Sequence, residues 1–410
     1  MNKKLLALLL AMIMLIGAVS ACGGSNGDVE EPDAPEGDSE VVEDEGEEEA
    51  EEVAEEAEEG EATEGSADGL DIVIVSSPSG VDDGSFNQDN YIGIQNFIAN
   101  NPDSTVNDIK ETDEANAVPT ASSVVGDYDV IITPGFQFAG ISTAAVENPD
   151  KKFILVDSFP LDAEAGEGEA EYENIYAMTF KEQEGGFLAG IAAALETKTN
   201  KVAVVNGVAY PSNVNYQYGF EAGVAYANEH LGASAEVVEL ASYAGQDVTG
   251  ENVGGNYIGD FADQAAGKVV GEALLAEGVD VMLVAAGGAG NGVFTAVKES
   301  GNAMVIGCDV DQFDDGINGD ENIVLTSVLK VMHLNVERQL EAIANGSFVG
   351  KNELLGADSD SVSYVKDEGR HQLSDETIAK LDEALEGLKD GSIVPPSNFS
   401  EETVESFPGL

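Results

Sequence analysis

Basic side chains are scarce in this chain of 410 residues, which sets 17 Lys and Arg against 79 Asp and Glu for a formal net charge of −62. No basic patch exists to displace counterions from phosphates, so nucleic acid is excluded as a partner. Histidine is rarer still. His230, His333 and His371 are the three present, and no two stand at metal-ligand spacing, so no metal is expected. A G-x-S-x-G elbow for a serine nucleophile is missing. Only two cysteines occur, and Cys308, inside the apolar run "MVIGCDV", reads as a buried, inert thiol. With metal, thiol and serine chemistry lacking, the expected class is not an enzyme, and no cofactor is expected.

What is present begins with "MNKKLLALLLAMIMLIGAVSAC": two lysines, an apolar run of about fifteen residues, then small residues before Cys22. This is the pattern of a secretory signal peptide over residues 1–21, too short for a transmembrane helix. "VSAC", Val19 to Cys22, resembles the bacterial lipobox, in which the cysteine thiol takes a diacylglyceryl group and becomes the mature N-terminus. An ordinary signal peptide with a chance cysteine is the alternative. With Cys22 lipidated, Cys308 is left alone and no internal disulfide can form. Residues 28–69 hold 22 Asp and Glu and no Lys or Arg. A segment so charged cannot bury enough surface to fold, so residues 22–69 read as a lipid-anchored, acidic, disordered linker. Residues 70–410 still carry 57 acidic against 15 basic side chains. Self-repulsion on that scale is tolerated best where salt screens it, which points to saline or alkaline surroundings.

From Leu70 onward, short apolar runs alternate with helical patterns: "DIVIV", "YDVIITPG", "KFILVDS" and "NIYAMTF", then "KVAVVNG", "AEVVELAS", "VDVMLVAAG", "AMVIGCDV" and "NIVLTSVLK". The runs are near-continuous Val, Ile and Leu, as in parallel strands covered on both faces. Helices are expected over 85–100, 182–196, 213–230, 259–277 and 291–300, with a last one after the N-cap Ser374. The fold class is α/β, with two similar Rossmann-like lobes whose parallel sheets are joined by a hinge. Lobe 1 is expected over about 70–180 plus a return segment near 310–330. Lobe 2 takes about 181–309 plus the C-terminal elements. A cleft between the lobes, at the carboxyl ends of the strands, is the expected site.

Four features point to that cleft. "DDGSFNQ" follows the first strand, and "SFNQ" has the form of a capping box, with Ser85 bonding forward and Gln88 reaching back. Phe86 falls opposite the helix's apolar stripe, so it either packs under a loop or faces the cleft; the strand-end position favours the cleft. "AAGGAGNGVF" follows a strand and approaches the dinucleotide fingerprint, but its spacing is G-x-G-x-G. It suits a backbone that approaches some ligand, or plain helix–sheet packing. Asp309 and Asp311 form a D-x-D at a strand end, and a carboxylate there can accept bidentately from a vicinal diol. Lys330 ends "NIVLTSVLK" and is either an ion-pair partner or a donor to the same diol.

Together "DDGSFNQ", "NIYAMTFKEQEGGFLAGIAAALE", "YGFEAGVAYA", "AAGGAGNGVF", "GCDVDQ", "TSVLK" and "LKDGSIVPP" resemble the basic membrane protein family of nucleoside-binding lipoproteins, over about Ile72 to Pro395. The resemblance implies the type I periplasmic-binding-protein fold, capture of a nucleoside between closing lobes, and delivery to an ABC transporter permease by a membrane-tethered monomer. Carried over, it makes Phe86 one face of a stack on the base, with Asn87 or Asp83 near the base edge. Tyr216 stands where the family has the opposing phenylalanine, its hydroxyl needing a partner. Asp309 and Lys330 fall on the ribose positions, and Gly287 and Gly288 on the backbone approach. Gln137 stands where the family often carries an acidic residue for the base, and Asn206–Gly207 replaces a glycine pair. The alternatives are a sugar or autoinducer receptor of the same fold, or an exported enzyme acting on nucleosides through Asp309 and Asp311.

Overall fold

The computed structural model describes residues 69–398. The expected signal peptide, the lipidation at Cys22 and nearly all of the acidic linker lie outside them.

The four apolar runs of the first lobe become strands whose side chains are mostly buried on both faces. These are β1 (Asp71–Ser76), β3 (Val130–Pro134), β4 (Lys152–Val156) and β5 (Ile175–Phe180). Their helices are α1 (Phe86–Asn100), α2 (Ala117–Val124) and α3 (Ser142–Glu147). One strand of this lobe, β2 (Thr105–Lys110), is polar and mostly exposed, so no apolar run announces it. It lies at the sheet edge, parallel to β1. An edge strand needs no second buried face.

The second lobe is built from β6 (Lys201–Asn206), β7 (Glu236–Val237), β8 (Val281–Ala285), β9 (Met304–Asp309) and β10 (Val324–Lys330). Its helices include α4 (Glu182–Glu196), α5 (Pro211–His230), α6 (Gln264–Ala276) and α7 (Gly287–Ser300). The expected strand "AEVVELAS" shrinks to the two residues of β7. Helix α7 starts four residues earlier than expected, so the first glycines of "AAGGAGNGVF" form its first turn rather than a free loop.

The return to lobe 1 comes later than expected. Residues 324–330 stay in lobe 2, because β10 finds its backbone partners in β9, with Cys308 opposite Val328. The chain then recrosses at Val331. Helix α8 (Met332–Ala344) buries Met332, Val336 and Leu340 with Ile94 and Phe97 of α1, and β11 (Lys351–Leu355) joins β5 in parallel. A third crossing leads to β12 (Val362–Tyr364), antiparallel to β10, and to α9 (Asp375–Lys389), capped by Ser374 as expected. The sheet orders are β11-β5-β4-β3-β1-β2 and β12-β10-β9-β8-β6-β7.

Helices α4 and α5 meet along a seam of glycines. A β-carbon on Gly186 would lie 2.4 Å from the Tyr216 carbonyl oxygen, and one on Gly219 would lie 2.1 Å from that of Gln183. Gly190 and Gly223 are equally tight against Phe220 and Phe187. Backbones this close leave no space for any larger residue. The seam fixes the start of α4, at the first crossing, against the first turns of α5.

Candidate functional site

The strands of both lobes end at one cleft of about 630 Å³ of empty space, part of it open to solvent. Its lobe 1 wall begins at Asp83. The capping box expected from "SFNQ" is not formed, because this carboxylate takes the helix start instead. Oδ1 accepts from the Ser85 and Gln88 amides, and Oδ2 from the Asn87 amide and side chain. A carboxylate at the amino end also suits the helix dipole. Gln88 accepts from the Gly84 amide, which leaves the Ser85 hydroxyl free to cross the cleft and donate to Asp309 Oδ2 at 3.0 Å. Asn87 is buried and donates to Ser77, Ser79 and Asp83.

At the hinge side Lys330 is 2% exposed and surrounded by acid. Its Nζ lies 2.5 Å from Asp157 and 3.0 Å from Glu182, and over the rings of Phe86 (5.2 Å) and Phe180 (5.1 Å). Burial alone would depress this ammonium, but Asp157, Glu182 and Asp309 together raise it above its ordinary value. The carboxylates respond in the opposite sense to the usual ion pair. Burial pushes Asp157 up to about 7 against the pull of Lys330, and lifts Asp309 as well. One cation for three buried carboxylates leaves at least one of them short of compensation.

Asp309 accepts from Ser85, from the Tyr216 hydroxyl at 3.1 Å, and from the Cys308 thiol at 3.5 Å. The hydroxyl of Tyr216 thus has its partner. Burial holds both the Tyr216 phenol and the Cys308 thiol well above their ordinary values, so both stay protonated donors.

Of the residues singled out from the sequence, Asp83, Phe86, Asn87, Gln137, Tyr216, Gly287, Asp309 and Lys330 all line this one cleft. Gly288 is set back from it: a β-carbon there would meet Phe261 and Ser79 at 3.3 Å. Asp311 belongs elsewhere, paired with Arg370 at 2.6 Å, so the D-x-D does not act as a pair. Gly292 packs α7 on α6, with no room for a β-carbon beside the Gln264 carbonyl.

Sequence reasoning missed Asp157, Glu182, Glu114 and an aromatic cluster at the mouth. Tyr210 stacks obliquely on Phe136 (5.4 Å) and Phe261 (5.9 Å), and donates to Glu114 Oε2 at 2.8 Å. "ILVDS" offered a signal for Asp157, since an acid ends that apolar run as Asp309 ends "GCD". Among the described residues no cluster of His, Cys, Asp or Glu is arranged to hold a metal ion, and no helix is long and apolar enough to cross a membrane.

Known proteins agree with this architecture. A CD4+ T-cell-stimulating antigen of Listeria monocytogenes is 31% identical, covering 79% of this chain and 87% of its own length. The ABC transporter nucleoside-binding protein BmpA of Lactococcus lactis is 28% identical, covering 80% and 89%. The crystal structure of an ABC transporter solute-binding protein from Aeropyrum pernix superposes with a TM-score of 0.68 at 22% identity, over 82% of this chain and 96% of that one. That likeness supports the two-lobed binding-protein fold. Residues 71–244 and 241–397 match the Bmp profile, described as ABC transporter substrate-binding protein PnrA-like. With most of its length inside that match, the chain belongs to the Bmp family of ABC transporter substrate-binding proteins.

Proposed function

We propose that this protein captures nucleosides outside the cytoplasmic membrane, anchored through a lipid on Cys22, and presents them to the permease of an ABC transporter. The observation that carries the reading is a cleft lined by the rings of Phe86 and Tyr216 together with the carboxylate of Asp309 and the ammonium of Lys330. A flat base needs the first pair and a ribose diol the second. Asp309 already accepts from two hydroxyls, Ser85 and Tyr216, which is the interaction a ribose would make. Asn87 and Asp83 line the cleft beside Phe86, and one of them is read as the neighbour of the base edge. The name of the Lactococcus relative points the same way.

Ligand favours the state in which both lobes touch it, and the permease then reads that state. The protein binds without turnover and works as a monomer. Stable anchoring takes more than one acyl chain, as a diacylglyceryl cysteine provides.

Thermal unfolding at fixed salt, against nucleosides, free bases, ribose and common sugars, tests the reading. A ligand at 100 times its dissociation constant adds roughly 2.7 kcal/mol. We expect a shift with nucleosides and none with ribose. A shift with a free sugar alone would replace this reading with the sugar-receptor alternative, and hydrolysed nucleoside after long incubation would favour an enzyme.

A further inference from the structure

Four carboxylates line the cleft, and three of them are engaged within the protein. Asp83 holds the start of α1, Asp157 pairs with Lys330, and Asp309 takes Ser85, Tyr216 and Cys308. Glu114 differs. Its Oε2 accepts from the Tyr210 hydroxyl, while its Oε1 has no hydrogen-bond partner among the described residues. Asp113 caps the turn that carries it, accepting from the Ala115 amide.

Position matters as much as valence. Glu114 follows β2, whereas Asp157 follows β4, and the sheet order sets those strands three spacings apart. At the usual strand separation that is roughly 14 Å. Phe86, Asn87 and Gln137 lie on the segments in between, after β1 and β3. A ligand with its ribose at Asp309 and Lys330 and its base beside Phe86 therefore directs the far edge of the base toward Glu114.

We infer that Glu114 is a specificity-determining residue that selects bases presenting adjacent N–H donors at that edge, which makes 6-oxopurine nucleosides the preferred ligands. The inference rests on the nucleoside reading given above. Guanine offers N1–H and the N2 amino group side by side, matching the two oxygens of one carboxylate. Hypoxanthine offers N1–H alone. Adenine turns the lone pair of N1 toward the carboxylate and leaves it unpaired in a half-buried site, which is the arrangement that sites reject most strongly. Gln137 supplies the complementary donor: its Nε2 has only a 3.5 Å contact to the Pro134 carbonyl, and O6 of either 6-oxopurine can accept from it.

Isothermal titration of the purified full-length protein with guanosine, inosine and adenosine tests this. Guanosine should bind at least about tenfold more tightly than adenosine, with inosine between them. Glu114→Gln should weaken guanosine by about tenfold to a hundredfold and bring the guanosine-to-adenosine ratio near one. Tyr210→Phe keeps the ring, releases Glu114 and should lower the ratio by a few-fold. Asp309→Asn should weaken all three ligands alike and preserve the ratio. A ratio unchanged by Glu114→Gln, or adenosine preferred by the parent protein, overturns the role of Glu114 and leaves the nucleoside reading standing. Binding of no nucleoside by any form overturns both.

Discussion

Asp157 and Asp309 occupy the same place in the two lobes. Each stands at the carboxyl end of a parallel strand, each carries a largely buried carboxylate, and each adopts a left-handed backbone, with φ of 63° and 71°. That conformation is uncommon outside glycine, although aspartate tolerates it better than most residues. Their partners separate them. Asp157 meets the Lys330 ammonium directly, whereas Asp309 meets hydroxyls and a thiol and feels Lys330 only through space. The backbone thus supplies an acid at both strand ends, and the side chains opposite decide its use. One acid balances a charge. The other holds weak donors that an incoming ligand can displace.

Removing the shared cation should do the most damage. Lys330→Met leaves three largely buried carboxylates without their cation, and urea unfolding should show a loss of about 3–5 kcal/mol. A loss below about 1 kcal/mol would mean that the acids are not held by this lysine.

Next comes the pH dependence of Asp157. Its folded value, about 7, lies above its ordinary 3.8, so between those values the folded protein holds a proton that the unfolded chain has released. Stability should therefore fall as pH rises through that window. Thermal melts of Asp157→Asn should be flatter than those of the parent protein from pH 4 to 7. Parallel profiles would sink the assignment.

Asp309→Asn should reverse the pattern, costing about 1.5–3 kcal/mol in ligand affinity with little loss of stability. The same contrast, on a smaller scale, divides the two residues at the start of α1. Asp83→Ala removes the cap and should cost about 1–2 kcal/mol of stability. Ser85→Ala should cost no more than about 1 kcal/mol, and it should appear in ligand affinity rather than in unfolding. If Ser85→Ala instead melts the helix, the serine caps after all.

The strands were legible because a sheet covered on both faces demands uninterrupted apolar runs, and "KFILV" or "VMLVA" admits few other readings. Polar β2 was not, since an exposed edge strand needs no such run. Helix α8 went unread although Met332, Val336 and Leu340 recur every four residues, because Val331 alone separates it from β10 and no turn residue marks the break. Within the site, Phe86, Asp309 and Lys330 announced themselves by standing at strand or helix ends. Glu182 did not. It looks like an ordinary acidic first-turn residue, and the lysine that gives it meaning is 148 positions away. The capping box was misread for a related reason: "SFNQ" satisfies the local pattern, but Asp83, two residues earlier, offers two charged oxygens where serine offers one hydroxyl.

The glycine seam between α4 and α5 is a gauge block for the cleft. Gly186 rests on the backbone of Tyr216, and Gly219 on that of Gln183, the residue after Glu182. A single methyl group at either glycine would wedge the helices apart and carry the Tyr216 ring away from Asp309, or Glu182 away from Lys330. The dimensions of the cavity are therefore set where two helix backbones touch, at glycines that do not themselves line it.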